Sequence, residues 1–211
     1  MFKIVAIGAS VLAGEELDNP QAVWPKLYAD SRGLDYENLA SIGCSTQYVL
    51  RTLLANLDQD PCLFILHWPN SIRFEYVNKD DDSWIQVNPN TAESAVKKIY
   101  YADINSYLGD KWNTLLMLYT AQQALANTHH KYIMTVDDDF LYTTQYHNPS
   151  YVKFLQDQTK NSVTWFDNTT WEHWCNQHNF PRGRFNHPLE EAHQAAFEYF
   201  GPLYDTIIPP V

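Results

Sequence analysis

The chain is poor in several features that would have placed it early. No apolar run approaches the roughly 20 residues needed to cross a bilayer as a helix, so no membrane partner is expected. There are 3 cysteines in 211 residues, Cys44, Cys62 and Cys175. An odd count without framework spacing excludes a disulfide scaffold and suits a reducing compartment. Cations are scarce, 14 Lys and Arg against 25 Asp and Glu, a net charge of -11. Duplex nucleic acid and anionic lipid both need cationic surface, so neither is an expected partner. No charged lead and cleavage site precedes the first strand-like stretch, so no signal peptide is read and a cytoplasmic place of synthesis is expected. The one glycine-bearing stretch near the start, GASVLAGEE, is neither a dinucleotide fingerprint nor a P-loop.

What is present is a globular chain. Aromatics make up 15% of it, with 7 Trp and 14 Tyr, and most of that surface must pack. Strand and helix patterns alternate through the first 140 or so residues. Phe2–Ile7 reads as a buried strand, Asn19–Arg32 as a helix ended by Gly33, and Leu34–Leu39 as a second strand. Ser45 or Thr46 can cap a helix through Leu57. Cys62–Trp68 is a third strand, and a polar loop or hairpin insertion covers 76–91. Helices are expected over Ala92–Leu108 and Lys111–Asn127, then a strand over Tyr132–Val136 that runs into Asp137-Asp138-Asp139. A helix over Ser150–Thr159, a strand over Val163–Phe166 and a last helix over Pro188–Phe200 follow. One domain spans 1–211 with no repeat or linker. The alternation predicts a doubly wound, flavodoxin-like parallel sheet in a three-layer α/β/α sandwich. In such sheets ligands gather beyond the carboxyl ends of the strands.

Four residues fall at that address: Ser10 after the first strand, Gly43 after the second, Asn70 after the third, and His187 before the last helix. Gly8-Ala9-Ser10, Asn38–Thr46 (NLASIGCST), His67–Ser71 (HWPNS) and His187-Pro188 stand in the order of the blocks of the SGNH (GDSL-like) hydrolases, and the chain resembles that family along nearly its whole length. Gly14-Glu15-Glu16, Trp24-Pro25 and Trp68–Glu75 are most similar to versions encoded by tailed bacteriophages. The resemblance implies the SGNH fold and a serine esterase with no metal or cofactor. Its substrate would be an O-acyl group, acetyl above all, on a carbohydrate, and a virion setting would add other virion proteins as partners. It assigns Ser10 as nucleophile, His187 as base, and the N–H groups of Ser10 and Gly43 with the Asn70 amide as the oxyanion hole.

The chemistry explains the grouping. Acyl transfer needs a nucleophile, a base for its proton, and donors for the developing oxyanion. Pro188 suits a first helical turn, which makes His187 a candidate N-cap, and a helix N-terminus disfavours imidazolium. Two positions depart from the family. Ala9 replaces the usual Asp of the first block, and Arg184 stands where the triad acid belongs. An acid from the run after the fourth strand, Asp138 the candidate, could reach across the strand ends. Trp68, Arg73, Trp84 and Arg184 are candidates for substrate contact, and Ser71 or Arg73 for the oxyanion.

Other classes stay open. With its acid lost, the same fold would bind a glycan or build a virion. Asp137–Asp139 also resembles the metal-binding motif of nucleotide-sugar glycosyltransferases. His173-x-Cys175-x-x-His178 has zinc-ligand residue types but no second pair at a familiar spacing.

Overall fold

The computed structural model describes residues 2–91, 93–144 and 148–208. Its centre is a four-stranded sheet in the order β2-β1-β3-β6, built from β1 (Lys3–Ile7), β2 (Asp35–Asn38), β3 (Cys62–Trp68) and β6 (Lys131–Val136). All pairings are parallel, with Lys3 opposite Asp35 and Cys62, and Leu63 opposite Lys131. Every residue of β3 is buried, as a strand covered on both faces must be.

Alternation along β3 sorts its side chains between two cores. Leu63 and Ile65 join Trp24 and Tyr28 of α2 (Trp24–Arg32), Trp171 and Trp174 of α7 (Trp171–Gln177), and Ala192, Ala196, Phe200 and Tyr204 of α8 (Glu190–Ile207). Cys62, Phe64, Leu66 and Trp68 join Val49 and Leu53 of α3 (Thr46–Leu54), Leu115 and Leu118 of α5 (Tyr107–Ala126), and Val152 and Leu155 of α6 (Ser150–Thr159). The result is helix layers on both sides of a sheet, the α/β/α sandwich expected. Each large apolar side chain fully removed from water contributes roughly 1.5–3 kcal/mol before entropy is counted. No helix among the described residues is long and apolar enough to cross a membrane.

Several boundaries differ from the sequence reading, each for a local reason. The helix α2 starts at Trp24, where Pro25 sits in the first turn. The segment 76–91 falls on a hairpin, β4 (Phe74–Val77) against β5 (Trp84–Val87), antiparallel, turned by Asp82 at φ 57°. The long helix expected from Ala92 is two pieces. Residue 92 lies outside the described residues, α4 covers Ala95–Ile99 and passes into a π-turn over Tyr100–Ile104. The Ser106 hydroxyl then accepts from the Gly109 N–H, which starts α5 earlier than Lys111. Val163–Phe166 forms no strand, only isolated bridges, parallel from Val163 to Met134 and antiparallel from Phe166 to Thr169. The last helix begins at Glu190 with Leu189 as N-cap and continues through Pro202 to Ile207. His187 therefore is not its N-cap, because Pro188 pairs back to Arg182 in a short bridge instead.

Candidate functional site

The strand order reverses between β1 and β3, and the site lies beyond their carboxyl ends, as switch-point geometry requires. β1 stops at Gly8. A Cβ there would lie 2.9 Å from the His67 carbonyl oxygen, so the chain passes too close to β3 for any other residue. Ser10 then opens a four-residue helix, α1 (Ser10–Ala13), as its first residue. Its N–H has no intrahelical acceptor. Gly43, at φ 73°, turns the loop after β2 over the same opening, and its N–H has no acceptor among the described residues.

Ser10, Gly43 and His187 line one cavity of about 370 Å³, together with Glu15, Ile42, Arg73, Asn88, Asn90, Thr91 and Phe185. Ser10 is 4% exposed, and its hydroxyl makes no hydrogen bond among the described residues. Nucleophile and base are often loosely paired before substrate binds.

The most informative contact is on the far side of the His187 ring. Nδ1 lies 2.9 Å from Oε2 of Glu16. The same carboxylate accepts from the His187 N–H at 3.2 Å and the Phe185 N–H at 2.7 Å. Three donors converge on one side chain, so both the ring and the loop that carries it are held. Gly183 makes room for it: a Cβ on Gly183 would stand 2.5 Å from Glu16 Cδ. Glu16 itself is in the left-handed region, φ 68°, costing roughly 1–2 kcal/mol for a residue with a side chain. Partial burial opposes its charge, but the donors from Phe185 and His187 outweigh that and hold the carboxyl below the ordinary glutamate range. Glu15 flanks the other ring nitrogen, with Oε2 3.5 Å from Nε2.

Asp138, the acid expected from sequence, does not face the ring nitrogen that needs one. Its Oδ2 accepts the Ser71 N–H at 2.6 Å, while Glu16 occupies Nδ1. Burial pushes the Asp138 carboxyl up to about 6, with Asp137 and Asp139 adding to the rise and the Ser71 donors opposing it. A carboxyl raised above its unfolded value of about 3.9 takes up a proton on folding, so its share of stability is lost as pH climbs from about 4 to 6. Asp138→Asn is expected to remove that loss and to stabilise the protein at pH 7.5 by on the order of 2–3 kcal/mol. Denaturant midpoints at pH 4.5 and 7.5 measure it, and an unchanged difference between the two would refute the assignment.

The other sequence candidates divide. Arg73 lines the cavity. Asn70 does not: it lies outside the lining, and its side-chain oxygen accepts from the Ile72 N–H at 3.1 Å. Ser71 is buried beside Asp138. Trp68 is fully buried in the core, so it cannot stack on a ligand. Trp84 is 46% exposed on the hairpin, lies under the Arg51 guanidinium at 4.4 Å, and is not part of the lining. Arg184 is exposed over the Phe185 ring. The residues that sequence reasoning missed are Glu16, Glu15, Asn88, Asn90 and Thr91. Asn88 arrives from the end of β5 and donates to the Gly43 carbonyl at 3.3 Å, which docks the hairpin onto the site.

Behind the site, the fully buried His67 bridges Thr135 Oγ1 at 2.8 Å and Asp137 Oδ1 at 2.9 Å. Asp137 is thus spent on His67 and Asp138 on Ser71, so the acidic run does not converge. No group of three or more His, Cys, Asp or Glu side chains among the described residues could hold a metal ion. In the His173–His178 segment, Cys175 is fully buried and His178 Nδ1 bonds the Trp174 carbonyl.

No family model matches the chain, and no curated protein does. Solved structures do. The chain is similar to a lipolytic protein of the G-D-S-L family from Veillonella parvula, with a TM-score of 0.57 at 14% identity over 98% of this chain and 100% of that one. It is similar to a putative lipolytic G-D-S-L protein from Desulfitobacterium hafniense, at 0.51 and 13% over 96% and 99%. It is also similar to a Corynascus family 2 carbohydrate esterase that carries a carbohydrate-binding domain, at 0.52 and 13% over 97% of this chain and 66% of that one. The likeness establishes the fold, that of the SGNH hydrolases.

Proposed function

We propose that the protein is a serine esterase that cleaves an O-acyl group, acetyl above all, from a carbohydrate through an acyl-enzyme. The observation that carries this reading is the Glu16–His187 contact at the mouth of a cavity that also holds Ser10. Ser10 Oγ attacks the acyl carbon, and its proton passes to Nε2 of His187. The tetrahedral oxyanion takes the free N–H groups of Ser10 and Gly43. The alkoxide leaves with the proton from Nε2; water then attacks the acyl-Ser10 ester while Nε2 takes its proton, and that proton passes to Ser10 Oγ as the carboxylic acid is released. Glu16 fixes the ring with Nδ1 protonated and balances the imidazolium while it lasts. The role given to Arg184's position in related proteins thus passes to a residue at the other end of the chain.

The fold supports the reaction class, and the lining supports the substrate class. Asn88, Asn90 and Thr91 offer amides and a hydroxyl suited to sugar hydroxyl groups, with Ile42 and Phe185 as apolar rim. The likeness of the sequence blocks to tailed-phage versions supports host-surface or virion glycans as the setting. A fluorophosphonate should label Ser10 stoichiometrically in the native protein and block p-nitrophenyl acetate turnover in step. An unlabelled Ser10, read by peptide mass, would reject the reading. A binding-only role is favoured by one observation, the absence of Asn70 from the cavity. Glycan retention by a protein inert to esters and phosphonate would establish that role instead.

A further inference from the structure

The cavity contains a guanidinium that makes no ion pair among the described residues. Arg73 lines it beside Ser10 and His187. Its Nη1 is shut off from solvent without a hydrogen-bond partner, and among the described residues its guanidinium makes no hydrogen bond or ion pair. Contrast Arg51 of α3, which is paired through Nε and Nη2 to the buried Glu75 of the hairpin. In a chain of net charge -11, acids to pair with are plentiful, yet none is in contact with this guanidinium. Glu15 is the one carboxylate among the lining residues, and it turns to His187. Asp137 feels the Arg73 charge but is in contact with His67.

The surrounding structure fixes the backbone on both sides of the guanidinium. The Tyr101 hydroxyl donates to the Ile72 carbonyl at 3.1 Å, pinning the segment just before Arg73. Lys97 Nζ donates to the Pro89 and Thr91 carbonyls at 2.8 and 2.7 Å, fixing the opposite wall. A half-buried and unpaired guanidinium is costly to keep unless a ligand completes it. Its planar fork matches a carboxylate in two parallel bonds. The Ser10 and Gly43 N–H groups already serve the oxyanion, and 370 Å³ exceeds what an acetyl group fills, leaving room for a sugar ring.

We propose that Arg73 receives a carboxylate of the substrate, so that the ester cleaved at Ser10 sits on an acidic saccharide, a uronic acid or a sugar of like charge. This rests on the esterase reading. The test compares two esters that differ only in charge, an O-acetyl methyl glucopyranoside and the matching O-acetyl methyl glucopyranosiduronate. The intact protein should favour the uronate by about 10- to 100-fold in kcat/KM, mainly through KM, and the preference should shrink as NaCl rises. Arg73→Gln should lose the preference by raising KM for the uronate, and Arg73→Lys should keep part of it. Equal kcat/KM for the two esters in the intact protein would overturn the inference and leave the esterase standing. So would an Arg73→Gln loss confined to kcat and equal for both esters, which would make Arg73 an oxyanion donor. Failure of the esterase reading looks different: neither ester is cleaved. Calorimetric titration of glucuronate against glucose onto the intact protein then decides the anion site, which Arg73-independent or charge-blind binding would abolish.

Discussion

Replacing Ser10 with alanine is expected to lower kcat for p-nitrophenyl acetate by about 10⁴-fold or more, with little change in melting temperature. Removing the nucleophile of a working triad typically costs this much, because the remaining groups act only through it. Stability should hold because the lost hydroxyl makes no hydrogen bond among the described residues, and alanine suits the first position of a short helix. Steady-state rates and thermal melts on the same preparations check both halves. Turnover within tenfold of the parent would remove Ser10 from the reaction.

The second large effect is expected at Glu16. Glu16→Gln leaves one oxygen where two now accept, Oε1 from the Phe185 N–H and Oε2 from the His187 N–H, so it gives up one of those bonds as well as the charge facing Nδ1. A neutral amide in place of a triad carboxylate allows the wrong imidazole tautomer, and a loss of about 10²–10⁴-fold in kcat is expected with KM little changed. Gly183→Ala should imitate it while leaving every reacting group in place, because the new methyl would stand 2.5–2.7 Å from the Glu16 carboxyl atoms. Asp138→Asn should not. The pH dependence follows from the lowered Glu16 value. A depressed carboxyl is charged well below the ordinary glutamate value of about 4.3. Its contribution to holding the Phe185–His187 loop is fully present above that value and lost as pH falls through the lower, folded one. Protection of the His187 and Phe185 amides from hydrogen exchange, taken relative to the intrinsic rate at each pH, should therefore fall only in that acid range. If Glu16→Gln, Gly183→Ala and Asp138→Asn all cost the same, the acid has been misassigned.

The sheet was readable because its strands are governed by local burial. Cys62–Trp68 is a continuous apolar run and matches β3 residue for residue, and Ser150–Thr159 matches α6. Ser10, Gly43 and His187 were readable because each follows or precedes an element whose end is visible. Helix ends set by capping, such as Ser106, were less so, since a serine in a long polar helix pattern carries no mark of its own. Glu16 was hidden for a different reason. It lies 171 residues from its partner, and nothing in a linear pattern joins them. The Gly14-Glu15-Glu16 run carries a family likeness in the sequence but no sign of which glutamate turns toward His187. Asn88, Asn90 and Thr91 belong to a hairpin region that reads as solvated loop, and only its docking on Gly43 makes it part of the site.

In the esterase we propose, nucleophile and acid ride on one short segment, Ser10 to Glu16, and the base comes from the far end. The docking of α8 completes the set: Glu190 accepts the Asp18 N–H at 2.6 Å, and His193 Nδ1 accepts the Trp24 N–H at 3.4 Å. A ribosome delivers the first two groups long before the third. The proposed base emerges just ahead of the last helix, which begins at Glu190, so a product truncated before His187 would carry Ser10 with no imidazole to deprotonate it.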